Sequence, residues 1–437
     1  MMKKLLLLTL CLLLIVAVGS AQYRFLKVFP DSATLSKTHG AGINNGIAVD
    51  PAGRVWIQTY SGSIDSVAPG VKTGSIYVYN PNGTQASFSP IQILSGKDEK
   101  GNNVTDTLNG TGYGLTTDPA TGNIFSVKWS SRIWKIDYKT GKGIVRVASP
   151  IPGYTSSLST PAVDKFGEVF VVPVLPGAPI AVLNPDFTAA GTIGPPTGGY
   201  ARCIAVSADG NDVIHTQFSP AKNYLYHSDN GSLGPYVLKD SIMSELVVEC
   251  VAWHPKTGYL WAGSGNTVSG MPTGGKAGYA WYAYDMKTKK YMDSIKWQGW
   301  KTGDDPRPRG IAFSPTGDTV YVGGFGVAPN IQMWVKGTGT SVEQEQGVVP
   351  TDFTLSQNYP NPFNPSTQIR FSITQTGSTT LKVYDVMGRE VSTLVNEILA
   401  PGSYSVKFDG ARLSSGTYLY VLTSGGHRLM NKMVLIK

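Results

Sequence analysis

The chain has 437 residues, with 51 Gly, 28 Pro, 15% charged side chains and a formal net charge of +8. That length buries a large core and allows two or three domains, and so many turn formers with so few charges describe an all-β protein rather than a disordered one. The Lys and Arg residues are scattered, the densest group being Lys287, Lys289 and Lys290 in one turn, so no nucleic-acid partner is expected.

The chain opens on Lys3 and Lys4, an apolar run from Leu5 to Val18, and Gly19-Ser20-Ala21. Residues 1–21 read as a signal peptide cut after Ala21. The run is shorter than the ~20 residues a spanning helix needs. No second apolar stretch follows, so the mature chain is expected to carry no transmembrane segment.

Residues 23–29 alternate as a strand, and then a phrase begins that keeps returning: Gly46-Ile-Ala-Val-Asp50-Pro-Ala-Gly53-Arg-Val-Trp56. Its relatives start at Gly114, Thr160, Cys203, Cys250 and Gly310. Each joins a small-residue strand to a β-branched and aromatic one through a tight turn ending in Gly, the pattern of a β-hairpin. Repetition at this period suits four-stranded blades, so residues 22–340 are expected to form a six-bladed β-propeller. In the first repeat the strands fall at about 46–50, 54–60, 74–80 and 86–94. The sixth repeat has a third strand at 330–335 but no fourth, and residues 23–29 are expected to supply it. The long connections 61–73, 95–112, 264–278 and 297–308 would then share one face, the expected working surface.

The residues just before each phrase should crown the central channel: Asn45, Tyr113, Ser159, Arg202, Glu249 and Arg309. They read either as a polar ligand ring or as a salt bridge of Glu249 with Arg202 and Arg309. Trp297 and Trp300, in a long loop, suggest a glycan or peptide platform, with loop packing as the alternative. Cys203 and Cys250 begin neighbouring repeats and should point the same way around the ring. They read as two buried thiols, with a disulfide as the alternative.

Catalytic signals are weak. Gly270–Ala277 approaches a phosphate-binding loop but ends in Ala and leads into a strand, and there is no G-x-S-x-G or H-E-x-x-H. His39, His215, His227, His254 and His427 are isolated, so no metal site is expected. His254 occupies the turn position of Asp50.

The GIAVDPxG and GIAFSPTGD phrases resemble those of NHL-repeat and gluconolactonase-like six-bladed proteins. The latter resemblance implies a divalent ion such as calcium near the channel, to which Glu249, Asn44 and Asn45 would contribute. Arg202 and Arg309 beside them would repel a cation and suit an anion better.

Residues 341–352 are aperiodic and read as a linker. Residues 353–437 show alternating strands at 368–373, 380–385, 402–408, 416–422 and 433–436, which suit a small β-sandwich. Within them stand Asn358-Tyr359-Pro360-Asn361-Pro362-Phe363-Asn364-Pro365, then Val383-Tyr384-Asp385-Val386-Met387-Gly388-Arg389, then Leu413-Ser-Ser-Gly416-Thr-Tyr418, and a terminal Lys432–Lys437. These four motifs, in this order, resemble the type A C-terminal sorting domain of the type IX secretion system. The resemblance implies passage through the periplasm and across an outer membrane by the type IX machinery, with possible attachment to surface polysaccharide. The expectation is a secreted or surface-displayed binding module. The alternative is an extracellular hydrolase or lactonase using a channel ion.

Overall fold

A computed structural model of the chain describes residues 23–38, 44–59, 66–68, 71–72, 74–108, 112–128, 131–195, 197–264, 280–298, 307–325, 331–336, 342–345, 350–375, 377–399, 401–411 and 413–437. The expected signal peptide lies outside them. So do most of the long connections at 61–73, 264–278 and 297–308, and the phosphate-loop-like segment. The described elements are nearly all strands, and residues 22–336 and 337–437 form two compact units.

The repeat phrases fold as hairpins because each turn is closed by its own first side chain. Asp50 Oδ1 accepts the N–H groups of Ala52 at 2.9 Å and Arg54 at 3.0 Å, while Oδ2 accepts from Arg54 Nε at 2.7 Å and Trp56 Nε1 at 3.0 Å. In the fifth repeat His254 does the same work, its Nδ1 accepting the N–H groups of Lys256 and Thr257 at 3.1 Å each. Side chains that hold the two or three following amides favour a turn over a continued strand.

Six sheets follow in chain order. The first strands of these sheets are Asn44–Val49, Gly112–Thr117, Ala162–Val163, Tyr200–Val206, Val248–Trp253 and Arg307–Phe313. They are neighbours in cyclic order. A Cβ on Gly46 would lie 2.6 Å from Gly114 Cα, and one on Gly114 would lie 1.7 Å from Thr160 Oγ1, so these strands approach as closely as only glycine permits. Thr160 bridges Cys203, Arg202 and Arg309 both reach Glu249, and a Cβ on Gly310 would lie 2.9 Å from Ile47.

Tyr23–Val28 pairs antiparallel with Ile331–Lys336, from Tyr23↔Lys336 to Val28↔Gln332, as the outer strand of the sixth sheet. Tyr23 is buried, with its ring 5.7 Å from Trp261 and 6.1 Å from Phe313 and its hydroxyl 2.9 Å from His254 Nε2. The core lies between successive sheets as separate apolar clusters, such as that of Trp56, Ile76, Leu115, Ile124 and Trp134.

The first sheet departs from expectation. It has three strands, Asn44–Val49, Val55–Thr59 and Ile76–Tyr79, and the expected fourth strand at 86–94 is reduced to bridges at Gln85 and Ile91. Ile93–Asp98 and Asn103–Thr107 instead form a hairpin, where a long loop was expected, and extend the second sheet to six strands. The joint is parallel, Val145↔Lys97 and Arg146↔Asp98. Asp106 fixes the hairpin there, accepting from Arg132 Nη1 and Trp134 Nε1 at 2.9 Å each and from Arg146 Nη1 at 3.2 Å. A short helix at Ser32–Thr38 was not anticipated, although Asp31 begins it by accepting from Thr34 N at 2.8 Å.

The C-terminal unit consists of two four-stranded sheets. One orders Val342–Glu345, Gly402–Asp409, Ser366–Ile373 and Thr354–Leu355, and the other Glu390–Leu399, Gly377–Asp385, Gly416–Ser424 and His427–Leu435. Phe363, Ile369, Phe371, Leu381, Val383, Val406, Tyr420 and Met433 fill a single core. Part of the expected linker is therefore structured: residues 342–345 pair with 403–406. A backbone edge offers hydrogen bonds to any extended segment, apolar alternation or not.

Candidate functional site

The first strands of all six sheets of the N-terminal unit line a cavity of about 860 Å³. Tyr113, Ser159, Arg202, Glu249 and Arg309 all lie on its wall. The side chain of Asn45, like that of Asn44, lies outside the described residues.

Glu249 stands between Arg202 and Arg309 on this wall. Its Oε2 lies 3.2 Å from Arg202 Nε and 3.2 Å from Arg309 Nη1, and its side chain is 1% exposed against 19% and 10% for the two arginines. Neither carboxylate oxygen has an aligned hydrogen bond. The contact is therefore a charge contact, with two guanidiniums set against one carboxylate. Burying a carboxylate requires such compensation. Arg202 also lies flat on an aromatic ring, its Cζ 3.8 Å from the centroid of Phe218. Tyr113 is tied down by Ser157, whose hydroxyl donates to the phenol at 3.0 Å, and by Thr160, whose hydroxyl donates to its carbonyl at 2.8 Å.

The cysteines and histidine of this wall are held in other roles. Cys203 and Cys250 are free and buried, and burial pushes both thiols up, Cys250 to about 12, so neither is a thiolate. His254 lines the cavity with Nδ1 committed to its turn and Nε2 to Tyr23 and the Gly317 carbonyl. His215 is buried on the neighbouring strand, and burial holds it down to about 4. Among the described residues no group of three or more His, Cys, Asp or Glu is arranged to hold a metal ion.

The loop platform is corrected. Trp297 is 9% exposed, its ring 6.0 Å from Trp281 in the core between the fifth and sixth sheets. It follows directly on the strand Lys290–Lys296. Trp300 lies outside the described residues. Sequence reasoning missed the exposed apolar residues beside Arg202: Tyr200, 44% exposed and 5.8 Å from Phe218, and Leu175, 41% exposed. The one signal was the spacing of Tyr200 and Arg202 on a strand.

In the C-terminal unit the motif residues divide into anchors and display. Phe363 is buried, its N–H donating to Val434 O at 2.9 Å and its carbonyl accepting from Ile436 N at 3.0 Å. Asn361 Oδ1 accepts from Val434 N at 2.9 Å, and the Pro360 carbonyl accepts from Asn358 Nδ2 at 3.0 Å and Thr367 Oγ1 at 2.8 Å. The proline-rich segment, with Pro362 between Asn361 and Phe363, is thus laced to the last strand of the chain. Asp385 closes its turn as Asp50 does, accepting from Met387 N at 2.9 Å, Arg389 N at 3.0 Å and Arg389 Nε at 2.8 Å. Gly388 takes the left-handed position with φ +78°. Tyr384 pairs with Glu390 and Leu419, Gly416 opens the strand Gly416–Ser424, and Tyr418 donates to Ser414 O at 2.8 Å. Tyr359 stands 82% exposed.

The molecule is therefore an all-β protein of two units, the second a sandwich whose terminal strand is pinned by a proline-rich lace. Residues 357–437 match the family model of the secretion system C-terminal sorting domain, so this unit is a sorting domain of the type IX secretion system. It directs the chain to export, at the cell surface or into the medium, and implies the type IX machinery as a partner. A comparison of the chain with curated proteins found no match. Among the described residues no helix is long and apolar enough to cross a membrane.

Proposed function

We propose that residues 22–340 are a six-bladed β-propeller carried to the cell exterior by the sorting domain, and that the propeller is a binding module whose axial cavity takes an anionic ligand. Three features support the architecture: the cyclic contact of the six first strands, completion of the sixth sheet by Tyr23–Val28, and one cavity walled by all six sheets. The observation that carries the ligand reading is the pair of guanidiniums of Arg202 and Arg309 on the single buried carboxylate of Glu249 at the cavity wall. A cation there would face two positive groups, whereas an anion would gain charge-assisted hydrogen bonds. In this reading the leader takes the chain to the periplasm and residues 357–437 take it across the outer membrane.

Calorimetric titration with small carboxylates tests the binding reading. Binding that weakens with salt and falls about tenfold or more in Arg202→Gln is expected, since a hydrogen bond to a charged group is worth about 1.5–3 kcal/mol. Stoichiometric calcium lost in Glu249→Ala would favour the metal-dependent hydrolase instead. For export, deletion of 357–437 should leave the protein in the periplasm, and undiminished appearance outside would contradict the route.

A further inference from the structure

Phe218 joins a charged region to an apolar one. The Arg202 guanidinium lies 3.8 Å from the centroid of its ring, and the Tyr200 ring lies 5.8 Å from it. The Ala201 N–H donates to the Val174 carbonyl at 3.0 Å, which holds the backbones of Tyr200 and Leu175, the neighbours of that bond, close to one another. Val174, Ala201 and Arg202 all line the cavity, and Leu175 and Tyr200 are their chain neighbours, so the two exposed apolar side chains stand close to its wall. Tyr200 and Leu175 are 44% and 41% exposed, although the strand residue between Tyr200 and Arg202, Ala201, is fully buried. Exposed large apolar side chains beside a cavity mark a place where a ligand buries them.

We infer that the ligand of this cavity is an amphiphilic carboxylate, an acyl or aryl acid, whose carboxylate meets Arg202 and Arg309 while its apolar part covers Tyr200 and Leu175. The inference rests on the reading of the cavity as an anion site and names the class of anion. Leu175 and Phe218 offer no hydrogen bond, and Tyr200 offers one hydroxyl. A sugar acid would therefore lay its own hydroxyls against groups that cannot pair with them, at a cost for each one desolvated. An acyl or aryl group loses nothing there and removes apolar surface from water.

Titration of the purified protein with octanoate, acetate and glucuronate, in parallel with Tyr200→Ala and Leu175→Ser, tests this. Octanoate is expected to bind at least about tenfold tighter than acetate or glucuronate, because several buried methylenes add to the same carboxylate contact. Both variants should lose most of that advantage while leaving acetate unchanged, and both side chains are exposed enough that folding is retained. Equal binding of octanoate and acetate would overturn the amphiphile and leave the anion site standing, as would tighter binding of glucuronate. Absence of binding by every anion would remove the anion site and this inference together.

Discussion

Asp50, Asp118 and Asp164 share one backbone role and differ in what balances their charge. Asp50 has Arg54 at 2.7 Å and Asp118 has Lys135 at 3.1 Å. Asp164 is fully buried, with Glu168 in the place of Arg54. Its Oδ1 accepts the N–H groups of Phe166 and Glu168 at 2.9 and 3.0 Å, its Oδ2 has no hydrogen-bond partner among the described residues, and Ser232 of the next sheet donates to Glu168 at 2.6 Å. Burial, then the neighbouring Glu168, pushes the Asp164 carboxyl from 3.8 up to about 6. The folded state keeps this proton over an interval in which the unfolded chain has already released it. The group's contribution is thus intact below the unfolded value, declines as pH rises towards the folded one, and stays lost above it. Asp164→Asn should therefore raise stability at pH 7.5 by up to about 3 kcal/mol, and give no gain at pH 4. Thermal melts at the two pH values check this, and a gain at both would show that the Asp164 proton is not what limits stability.

At this scale the sequence was informative wherever position in the repeat decides neighbours. Glu249 meets Arg202 and Arg309 because all three stand one residue before the same phrase. His254 was legible as a turn closer for the same reason. Trp297 was not legible, because its burial depends on Trp281 of an adjacent strand. Tyr200 and Leu175 were not, because the bond that sets their backbones near one another, Ala201 to Val174, links two repeats.

Among the elements, the hairpin at 93–107 shows the difference between finding a strand and placing it. Alternation near residue 90 was visible, but its assignment to the first sheet failed because the parallel pairing to Gly143–Ala148 is set by tertiary contacts of Asp106. Asp106→Ala leaves the Trp134 indole N–H, Arg132 and Arg146 without that acceptor. It should destabilise the protein by about 2–3 kcal/mol and speed trypsin cleavage at Lys97 and Lys100. Denaturation and limited proteolysis read both effects, and wild-type behaviour in each would show that the hairpin is held otherwise. Arg132→Ala should cost less than about 1 kcal/mol, since its side chain is 43% exposed. In the sorting domain the strands near the motifs were legible from alternation. Glu390–Leu399 was not, because its Val391-Ser-Thr-Leu-Val stretch breaks the period of two, as the register shift between Leu381 and Lys382 shows on its partner.

For the molecule as a whole, a closed N-terminal unit requires Tyr23–Val28 as the outer strand of the sixth sheet. That pairing could be anticipated by counting, since the sixth repeat lacked an outer strand and an alternating segment preceded the first phrase. Tyr23 adds a second tie, to His254 of the fifth sheet's first hairpin. Removing residues 23–29 should expose the edge of Ile331–Lys336, lower the melting temperature and cause aggregation. Light scattering on heating checks this, and a soluble truncated protein with an unchanged melting temperature would oppose it. The most direct test is amide hydrogen exchange of the intact protein at Tyr23–Val28 and Ile331–Lys336. A closed ring predicts that both strands exchange together, at least about a thousandfold slower than free chain. Exchange of Tyr23–Val28 at the rate of free chain, with Ile331–Lys336 protected only on its inner side, would contradict it.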